Sequence, residues 1–426
     1  MITESTVFSQ NLSKNEADKL FYSNISELKE EMLCANYWIK LSNMNKVIMS
    51  KKDIESYNKS SLTTVGSIVD LENYKDSFSK QELSDKLNAI SFSPKSEGFH
   101  ENGKLVTEGY YNKLIKNCNI EGVMDLNNIK YGITIRKTVM RTFPTYDRVF
   151  KTGDNYEFDR FQETAVYPVE PIVILLSSVD KKWYLAQMYN YLAWIPEKDV
   201  AISSKEEIFD YLKTKNFIVT TGKRVFTNYN PLNEQLSEVK FDMGIKIPLA
   251  GIKEIEEDIY GQNSMGNYVV KLPTRNNRGN VEFKKALIAR NEDISLGYLP
   301  YTRKNIIVNA FKFLGERYGW GGMFNSRDCA SFIMDVYRTM GIKLPRNAED
   351  QGKLAVGNFY EMPENMTMGD REKLLDKLKT GTPVYMNGHA MIYIGKEKGQ
   401  YYTIHDFSGF YKPQQDGSLK YYKVRE

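Results

Sequence analysis

The last third of the chain carries two kinds of hydrophobic pattern, one after the other. Apolar residues first recur every three or four positions, which predicts a helix that Thr302 caps and that the glycine-rich turn at 319–322 ends. A second helical stripe begins at Cys329, and Asp328 stands where its N-cap belongs. Alternating patterns that predict strands follow at residues 383–386, 389–394, 400–405 and 420–424. Helices followed by antiparallel strands predict an α+β domain, which we place at residues 299–426.

The middle of the chain reads as short strands. From Tyr131, runs rich in β-branched and aromatic residues are separated by turn signals, which is typical of small barrels. The run at 165–201, with Trp183 in one of its strands, resembles bacterial SH3-like domains of cell-wall enzymes. We therefore place a first SH3-like barrel at residues 131–203 and a second, with a weaker pattern, at 204–298.

The N-terminal region, residues 1–130, is predicted to be helical at its start and irregular afterwards. A helical stripe lies between Asn24 and Lys40. Its apolar members are Ile25, Leu28, Met32, Ala35 and Ile39. Cys34 and Cys118 are interpreted as small buried residues, because no catalytic residue flanks either of them.

Composition and charge exclude several classes of protein. Of the 426 residues 41% are hydrophobic and 26% charged, close to ordinary globular usage, so disorder is excluded as the main state. The formal net charge is +4 and no long basic run exists, so nucleic acid is not expected as a partner. The three cysteines share no CxxC spacing, which excludes a disulfide framework. The three histidines form no HExxH pair, so we expect no metal and no organic cofactor.

Two features of the sequence bear on the location of the protein. The longest apolar stretch, 172–176, is far shorter than the ~18 residues that a membrane span needs, so no span is predicted. The start, Met1 to Lys14, lacks the apolar core of a secretory signal. Either the protein stays inside the cell, or a leader precedes this sequence.

Cys329 is the candidate nucleophile among the cysteines, because the pattern places it in the first turn of its helix. The helix N-terminus favours a thiolate, whereas the neighbouring Asp328 disfavours it, so activation requires a base. His389 and His405 lie on two predicted strands downstream. If those strands are antiparallel neighbours, both imidazoles lie at one edge of the sheet and face the helix start. A cysteine, a histidine base and a residue that orients the base form the logic of papain-like catalysis.

Five local motifs occur in order over this region. They are Tyr318-Gly-Trp-Gly-Gly-Met323, Asp328-Cys-Ala-Ser-Phe332, Leu344-Pro-Arg346 with Gln351, Gly388-His-Ala-Met-Ile-Tyr-Ile-Gly395, and Ile404-His405. Together they resemble the NlpC-type bacterial cell-wall cysteine peptidases, in the multidomain branch with a helical region and two SH3-like domains before the peptidase. The resemblance implies a papain-like catalytic fold. Arg346 and Gln351 are expected to fix the loop after the helix rather than to touch substrate.

The resemblance also implies an activity: hydrolysis of the bond between γ-D-glutamate and the diamino acid in peptidoglycan stem peptides. Carried over by motif, Cys329 is the nucleophile, His389 the general base and His405 its orienting residue. Tyr318 would help to hold the oxyanion, and Asp328 would bind the free amine of an N-terminal L-alanine. The chain departs from the family at Ala330, where serine is common, which leaves Ser331 as an imperfect substitute.

Two other functions remain open from the sequence. The first is a binding protein whose SH3-like barrels hold wall peptides while the peptidase domain is inert. The second is an amidase or acyltransferase with the same papain-like chemistry. The partners expected are stem peptides or muropeptides, and the chain is expected to be a monomer. By resemblance the protein would be extracytoplasmic or associated with the cell wall, with cytoplasmic recycling of fragments as the alternative.

Overall fold

The computed structural model describes residues 23 to 423, apart from 24, 26, 41, 42, 95, 154, 155, 355–358 and 415. Nine α-helices occur in that part of the chain. They are α1 (Ala35–Trp38), α2 (Lys51–Thr64), α3 (Lys80–Ile90), α4 (Glu108–Asn117), α5 (Lys205–Leu212), α6 (Arg303–Phe311), α7 (Cys329–Arg338), α8 (Ala348–Lys353) and α9 (Met368–Leu375). Short 3₁₀ helices lie at Glu30–Leu33, Ile120–Gly122, Glu197–Asp199, Ile252–Glu254 and Trp320–Asn325.

The strands are numerous and short, as the aromatic and β-branched runs predict. The first twelve are β1 (Val47–Met49), β2 (Ser77–Ser79), β3 (Phe99–His100), β4 (Leu126–Asn128), β5 (Lys130–Thr134), β6 (Thr138–Arg141), β7 (Val149–Phe150), β8 (Gln162–Val166), β9 (Pro171–Ser177), β10 (Trp183–Gln187), β11 (Leu192–Pro196) and β12 (Val200–Ser203). The next ten are β13 (Phe217–Thr220), β14 (Arg224–Phe226), β15 (Lys240–Asp242), β16 (Lys246–Pro248), β17 (Asp258–Ile259), β18 (Gln262–Asn263), β19 (Asn267–Arg275), β20 (Val281–Ala289), β21 (Ile294–Leu296) and β22 (Tyr301–Thr302). The last five are β23 (Thr382–Met386), β24 (His389–Glu397), β25 (Gln400–Ile404), β26 (Gly409–Pro413) and β27 (Leu419–Lys423).

The N-terminal region differs from its prediction in two ways. The described part of the stripe between Asn24 and Lys40 is a 3₁₀ turn and the four-residue α1, because the extended backbone of Cys34 interrupts the helix. Cys34 is therefore exposed rather than buried, whereas Cys118 is buried as predicted. Asn24 and the segment Met1 to Lys14 lie outside the described residues.

The stretch after residue 50, predicted to be irregular, instead contains the regular helices α2, α3 and α4. Their sequences are polar, so the apolar stripe is weak, but their ends are well specified. Ser50 with Asp53, and Ser79 with Glu82, form reciprocal capping boxes at the starts of α2 and α3. Capping, rather than hydrophobic periodicity, marks these helices in the sequence.

The first β-rich region forms a seven-stranded antiparallel sheet in the order β12-β5-β9-β10-β11-β6-β8. Trp183 and Trp194 are buried in its core, as the sequence indicates. In the second region the strands fall into separate small sheets, of which the largest has the order β16-β13-β21 and the longest pair is β19-β20. Neither region forms a closed ring of paired strands within the described residues.

The C-terminal domain packs α6 and α7 against the three-stranded antiparallel sheet β23-β24-β25. Thr302 caps α6 and Asp328 caps α7, as predicted. The helix α6 ends at Phe311, however, and does not reach Tyr318. Tighter turns follow up to Gly315, whose φ of 77° does not fit a right-handed helix, so no helix continues to Tyr318.

Candidate active site

Cys329 is the first residue of α7, so its thiol lies at the positive end of the helix. The Asp328 carboxylate accepts the N–H of Ser331 at 3.0 Å, and the Ser331 hydroxyl accepts the N–H of Asp328 at 2.9 Å. This capping box fixes the turn that carries the cysteine. The Ser331 hydroxyl also donates to Asp328 Oδ1 at 2.9 Å. The helix cap therefore occupies the Ser331 hydroxyl, which was expected to contact substrate.

The Cys329 sulfur lies beside the start of β24. It accepts a hydrogen bond from the backbone N–H of Ala390, the residue that follows His389 in the chain. Cys329 is only 8% exposed, and this burial, with the charge of Asp328, raises the pKa of its thiol to about 11. The thiol is therefore protonated at neutral pH and needs a base, which is the direction the sequence predicts.

The two histidines meet, as expected from their strands. Strands β24 and β25 are antiparallel neighbours, and His389 Nε2 lies 2.7 Å from His405 Nδ1. This contact leaves Nδ1 of His389 for the thiol, which requires the proton of His389 to sit on Nε2 and to be donated to His405. Burial lowers the pKa of His389, and burial together with His389 lowers the pKa of His405 to about 4. Both imidazoles are neutral at pH 7, so His389 can accept a proton.

Asp328 is held by a cation that the sequence did not assign to it. Arg346 binds the Asp328 carboxylate through two contacts, Nη1 to Oδ1 at 3.2 Å and Nη2 to Oδ2 at 2.5 Å. Oδ2 also accepts the N–H of Gly321 at 3.0 Å. Although burial alone would raise it, Arg346 and Ser331 hold the pKa of the Asp328 carboxyl below its usual value. Gln351 donates to the carbonyls of Ala330 and Pro345 at 3.1 and 2.9 Å and so fixes the loop after α7, as expected.

Tyr318 lies near the nucleophile. Its pKa is raised by burial first, and then by the charges of Asp328 and Cys329, which places the phenol within electrostatic reach of both groups. The neighbouring glycine turn approaches strand β8 so closely that a Cβ at Gly322 would lie 2.4 Å from the Cβ of Ala165. Trp320 donates from Nε1 to the carbonyl of Gln162 at 3.1 Å. The glycine-rich motif therefore fits the catalytic domain against the first β-rich region.

Sequence reasoning missed two acidic residues of this site. Glu163, on β8, accepts hydrogen bonds from the hydroxyls of Thr142 and Tyr191. The sequence pattern that points to Glu163 is the alternation of β8, in which Glu163 and Ala165 face away from the buried side. Asp406, directly after His405, has its pKa raised to about 8 by burial and by the charges of Asp328 and Glu316. A single acid in a strand or loop has no local motif, so neither could be assigned from the chain alone.

The described residues include no group of three or more His, Cys, Asp or Glu side chains arranged to hold a metal ion. In the same part of the chain, no helix is both long and apolar enough to cross a membrane.

Comparison with known proteins identifies the two kinds of domain. Residues 315–407 match the NlpC/P60 family, and residues 144–196 match the SH3 domain of the SH3b1 type. The chain carries an NlpC/P60 domain behind an SH3 domain. The NlpC/P60 match includes every predicted site residue, from Tyr318 to His405, and ends before the strand pair β26-β27.

Two relatives extend this picture. A γ-D-glutamyl-L-lysine dipeptidyl-peptidase from Bacillus subtilis (strain 168) is 29% identical over 76 residues, which is 18% of this chain and about a quarter (26%) of that protein. A solved NlpC/P60 endopeptidase from Photobacterium damselae subsp. piscicida aligns with a TM-score of 0.72 and 19% identity, covering 92% of this chain and 88% of that one. The second similarity extends the shared fold well beyond the NlpC/P60 domain, and the α+β class with SH3-like domains before a papain-like domain is confirmed.

Proposed function

We propose that the protein is a cysteine peptidase that cleaves the bond between γ-D-glutamate and the diamino acid in stem peptides of the cell wall. The observation that carries the proposal is one arrangement of three side chains. Cys329 begins a helix beside His389, and His389 contacts His405 at 2.7 Å. The membership of this region in the NlpC/P60 family and the activity for which the Bacillus relative is named support the choice of bond.

In this proposal His389 Nδ1 takes the proton of the Cys329 thiol as the sulfur attacks the γ-carbonyl carbon. The negative charge on the carbonyl oxygen is stabilised by the N–H of Cys329 and the hydroxyl of Tyr318. His389 then gives its proton to the amine of the diamino acid, and the C–N bond breaks to leave a thioester. A water molecule, deprotonated by His389, hydrolyses the thioester and restores the thiol. His405 keeps the His389 ring turned toward the sulfur throughout.

We further propose that the substrate carries a free N-terminal L-alanine. The charges of Asp328 and Glu163 both act on Tyr191, whose hydroxyl donates to Glu163 and whose pKa is raised by burial and by the two acids. Arg346 neutralises only one of these two acids. Among the described residues no lysine or arginine lies within ion-pair distance of Glu163. An ammonium group would supply the missing charge, with Glu163 as its main partner and Asp328 as a second acid.

The experiment is a digest of the defined tripeptide L-Ala-γ-D-Glu-diamino acid, analysed by mass spectrometry. The proposal expects L-Ala-γ-D-Glu and the free diamino acid as products. Cleavage of another bond, or transfer of the acyl group to an added amine, would favour the amidase or acyltransferase alternative. Running the lysine and the diaminopimelate peptides in parallel determines which diamino acid the site accepts.

The amine site is tested with the N-acetylated form of the same peptide. Leaving a partly buried carboxylate without its cation costs about 1–3 kcal/mol, so we expect kcat/KM to fall roughly tenfold to a hundredfold on acetylation. Glu163→Gln should remove most of that selectivity. Tyr191→Phe, which keeps Glu163 but removes its hydroxyl donor, is the matched control and should retain most of it. Equal rates of the wild-type enzyme on both peptides would contradict the free-amine preference.

A further inference from the structure

The strand pair β26-β27 is a C-terminal hairpin whose role is not covered by the family match. Its strands, Gly409–Pro413 and Leu419–Lys423, pair with each other and with no other strand of the described chain. Three residues, 406–408, connect it to His405. The hairpin thus begins where the active-site sheet ends.

Aromatic rings run from His405 into this hairpin. The ring of Phe407 stacks on that of His405, with centroids 4.3 Å apart and an interplanar angle of 8°. Phe407 lies 6.3 Å from Phe410, and Phe410 stacks on its cross-strand partner Tyr422 at 5.5 Å and 16°. We call His405, Phe407, Phe410 and Tyr422 the ring column.

The opposite face of the hairpin provides an internal comparison. Tyr411 and Tyr421 also face each other across the two strands, with centroids 5.0 Å apart. Because neighbouring residues of a strand point to opposite faces, this pair points away from the ring column. Tyr411 is 66% exposed. The two faces therefore have similar aromatic content, but only one of them leads to the active site.

His405 needs such support because the regular strand stops one residue before it. Strand β25 ends at Ile404, so the hydrogen-bond ladder of the sheet does not extend to residue 405. Rotation of an imidazole about χ2 is weakly restricted by its own torsional preferences. A ring stacked nearly parallel on one face limits that rotation and excludes water. At the end of the hairpin nearest His405, where Lys423 pairs with Gly409, Lys423 Nζ lies 3.5 Å from a carboxylate oxygen of Glu157, in the loop between β7 and β8.

We infer that the C-terminal hairpin positions the third residue of the active site, with Phe407 as the positioning residue that holds the His405 ring against His389. Phe410 and Tyr422 support Phe407 from behind. The kinetic consequence of this arrangement rests on the proposed function, whereas the arrangement itself concerns only the state of the His405 ring. The titratable groups around that ring are His389, which faces it from β24, and Asp406, next to it in the chain.

The test uses the small number of histidines. The chain has three, so the full-length protein labelled with ¹⁵N only at histidine gives three pairs of ring-nitrogen signals, which His100→Gln and His405→Gln assign. In the wild-type protein we expect His405 to be the Nε2–H tautomer, with a pKa near the value of about 4 that burial and His389 produce. In Phe407→Leu the ring gains water contact, and we expect its pKa to rise by at least one unit. Phe407→Tyr keeps a stacked ring and should restore the wild-type titration.

The remaining variants test whether the rise of the His405 pKa depends on the distance of the changed ring from His405. Phe410→Leu should give a smaller pKa rise than Phe407→Leu, and Tyr411→Leu, on the other face, should give none. For peptide hydrolysis we expect Phe407→Leu to lower kcat roughly three- to tenfold while KM stays within about twofold, since one aromatic contact contributes about 0.5–1.5 kcal/mol. The pKa measurement needs no substrate, so a protein without peptidase activity could still show the positioned ring.

Two results would overturn the inference. One is an unchanged His405 titration and tautomer in Phe407→Leu, and the other is an equal shift in Tyr411→Leu. A third possibility, that Phe407→Leu unfolds, is checked by its thermal transition, and Phe410→Leu then decides: a His405 pKa equal to that of the wild-type protein would count against the ring column.

Discussion

The two ends of the active site are held in different ways. The nucleophile end is supported by buried charges: Arg327, next to the cap of α7, is completely buried and binds Asp335 at 2.7 Å, Asp242 at 3.0 Å and Glu316. The histidine end is supported by stacked aromatic rings that lead to an exposed hairpin. The first arrangement joins the catalytic domain to the second β-rich region through Asp242, whereas the second ends at the surface.

This difference predicts different consequences of damage. A buried ion network is weakly stabilising as a whole, but removal of one member leaves charges without partners and costs several kcal/mol. Loss of one aromatic contact costs about 0.5–1.5 kcal/mol beyond its buried area. Changes to the ion network at the nucleophile end should therefore destabilise the protein strongly, and changes to the rings at the histidine end should leave it folded but slower.

The largest effect should come from the nucleophile itself. Cys329→Ala removes the sulfur atom that carries the covalent step in the proposed mechanism, so we expect at least a roughly thousandfold loss of kcat with little change in thermal stability. Peptide hydrolysis is followed by mass spectrometry. Cys34→Ala and Cys118→Ala are the matched controls and should retain activity. Residual hydrolysis by Cys329→Ala above a few per cent of the wild-type rate would refute the assignment.

The next largest effect should be on stability. Arg327→Met leaves the carboxylates of Asp335, Asp242 and Glu316 without their shared cation, and we expect a loss of about 3–5 kcal/mol in the free energy of unfolding. Urea denaturation measures it. Arg224→Met is the control, because its half-buried side chain contacts the same Glu316 from the rim. Tyr422→Leu, at the histidine end, should lose less than Arg327→Met, and a larger loss there would remove the contrast between the two ends.

The pH dependence of alkylation reports the protonation state of the thiol at the nucleophile end. With the Cys329 pKa raised to about 11, its thiolate fraction grows tenfold per pH unit across the neutral range. In a Cys34→Ala background, which removes the exposed thiol, alkylation of Cys329 by iodoacetamide should accelerate about a hundredfold from pH 7 to pH 9. A rate that is already constant between pH 6 and pH 8 would indicate a thiolate–imidazolium pair at rest instead.

The smallest effect is the inequality of the histidines. In the proposed mechanism His389 moves a proton in both half-reactions, whereas His405 only orients the His389 ring and can be replaced by another hydrogen-bonding side chain. We expect His389→Ala to lower kcat at least about tenfold more than His405→Asn. Steady-state kinetics on the tripeptide provides the comparison. The opposite ranking would mean that base and orienting residue are exchanged.

Much of the histidine end could be predicted from the sequence because its information is local. The alternation around His389 and His405 specified two strands, and antiparallel pairing then placed the two rings together. Asp328 was recognisable as a helix cap for the same reason. In each case the residues that define the structure lie within a few positions of one another.

The long-range contacts of the nucleophile end could not be derived in this way. The partners of Arg327 and the position of Glu163 depend on which domains pack together, and no short segment records those contacts. A charged residue in a strand also resembles any solvated position until its neighbours are known. The early end of α6 was missed because the apolar stripe continues beyond Gly315, although the backbone at that glycine leaves the helical region.

Trapping the covalent intermediate is the most direct test of the proposed mechanism. Wild-type protein mixed with L-Ala-γ-D-Glu-diamino acid and quenched in acid during turnover should yield, after digestion, a peptide containing Cys329 that carries an L-Ala-γ-D-Glu acyl group. The mass of the adduct identifies the cleaved bond and its position identifies the nucleophile. An acyl group on another residue, or the same products released at an unchanged rate by Cys329→Ala, would contradict the account.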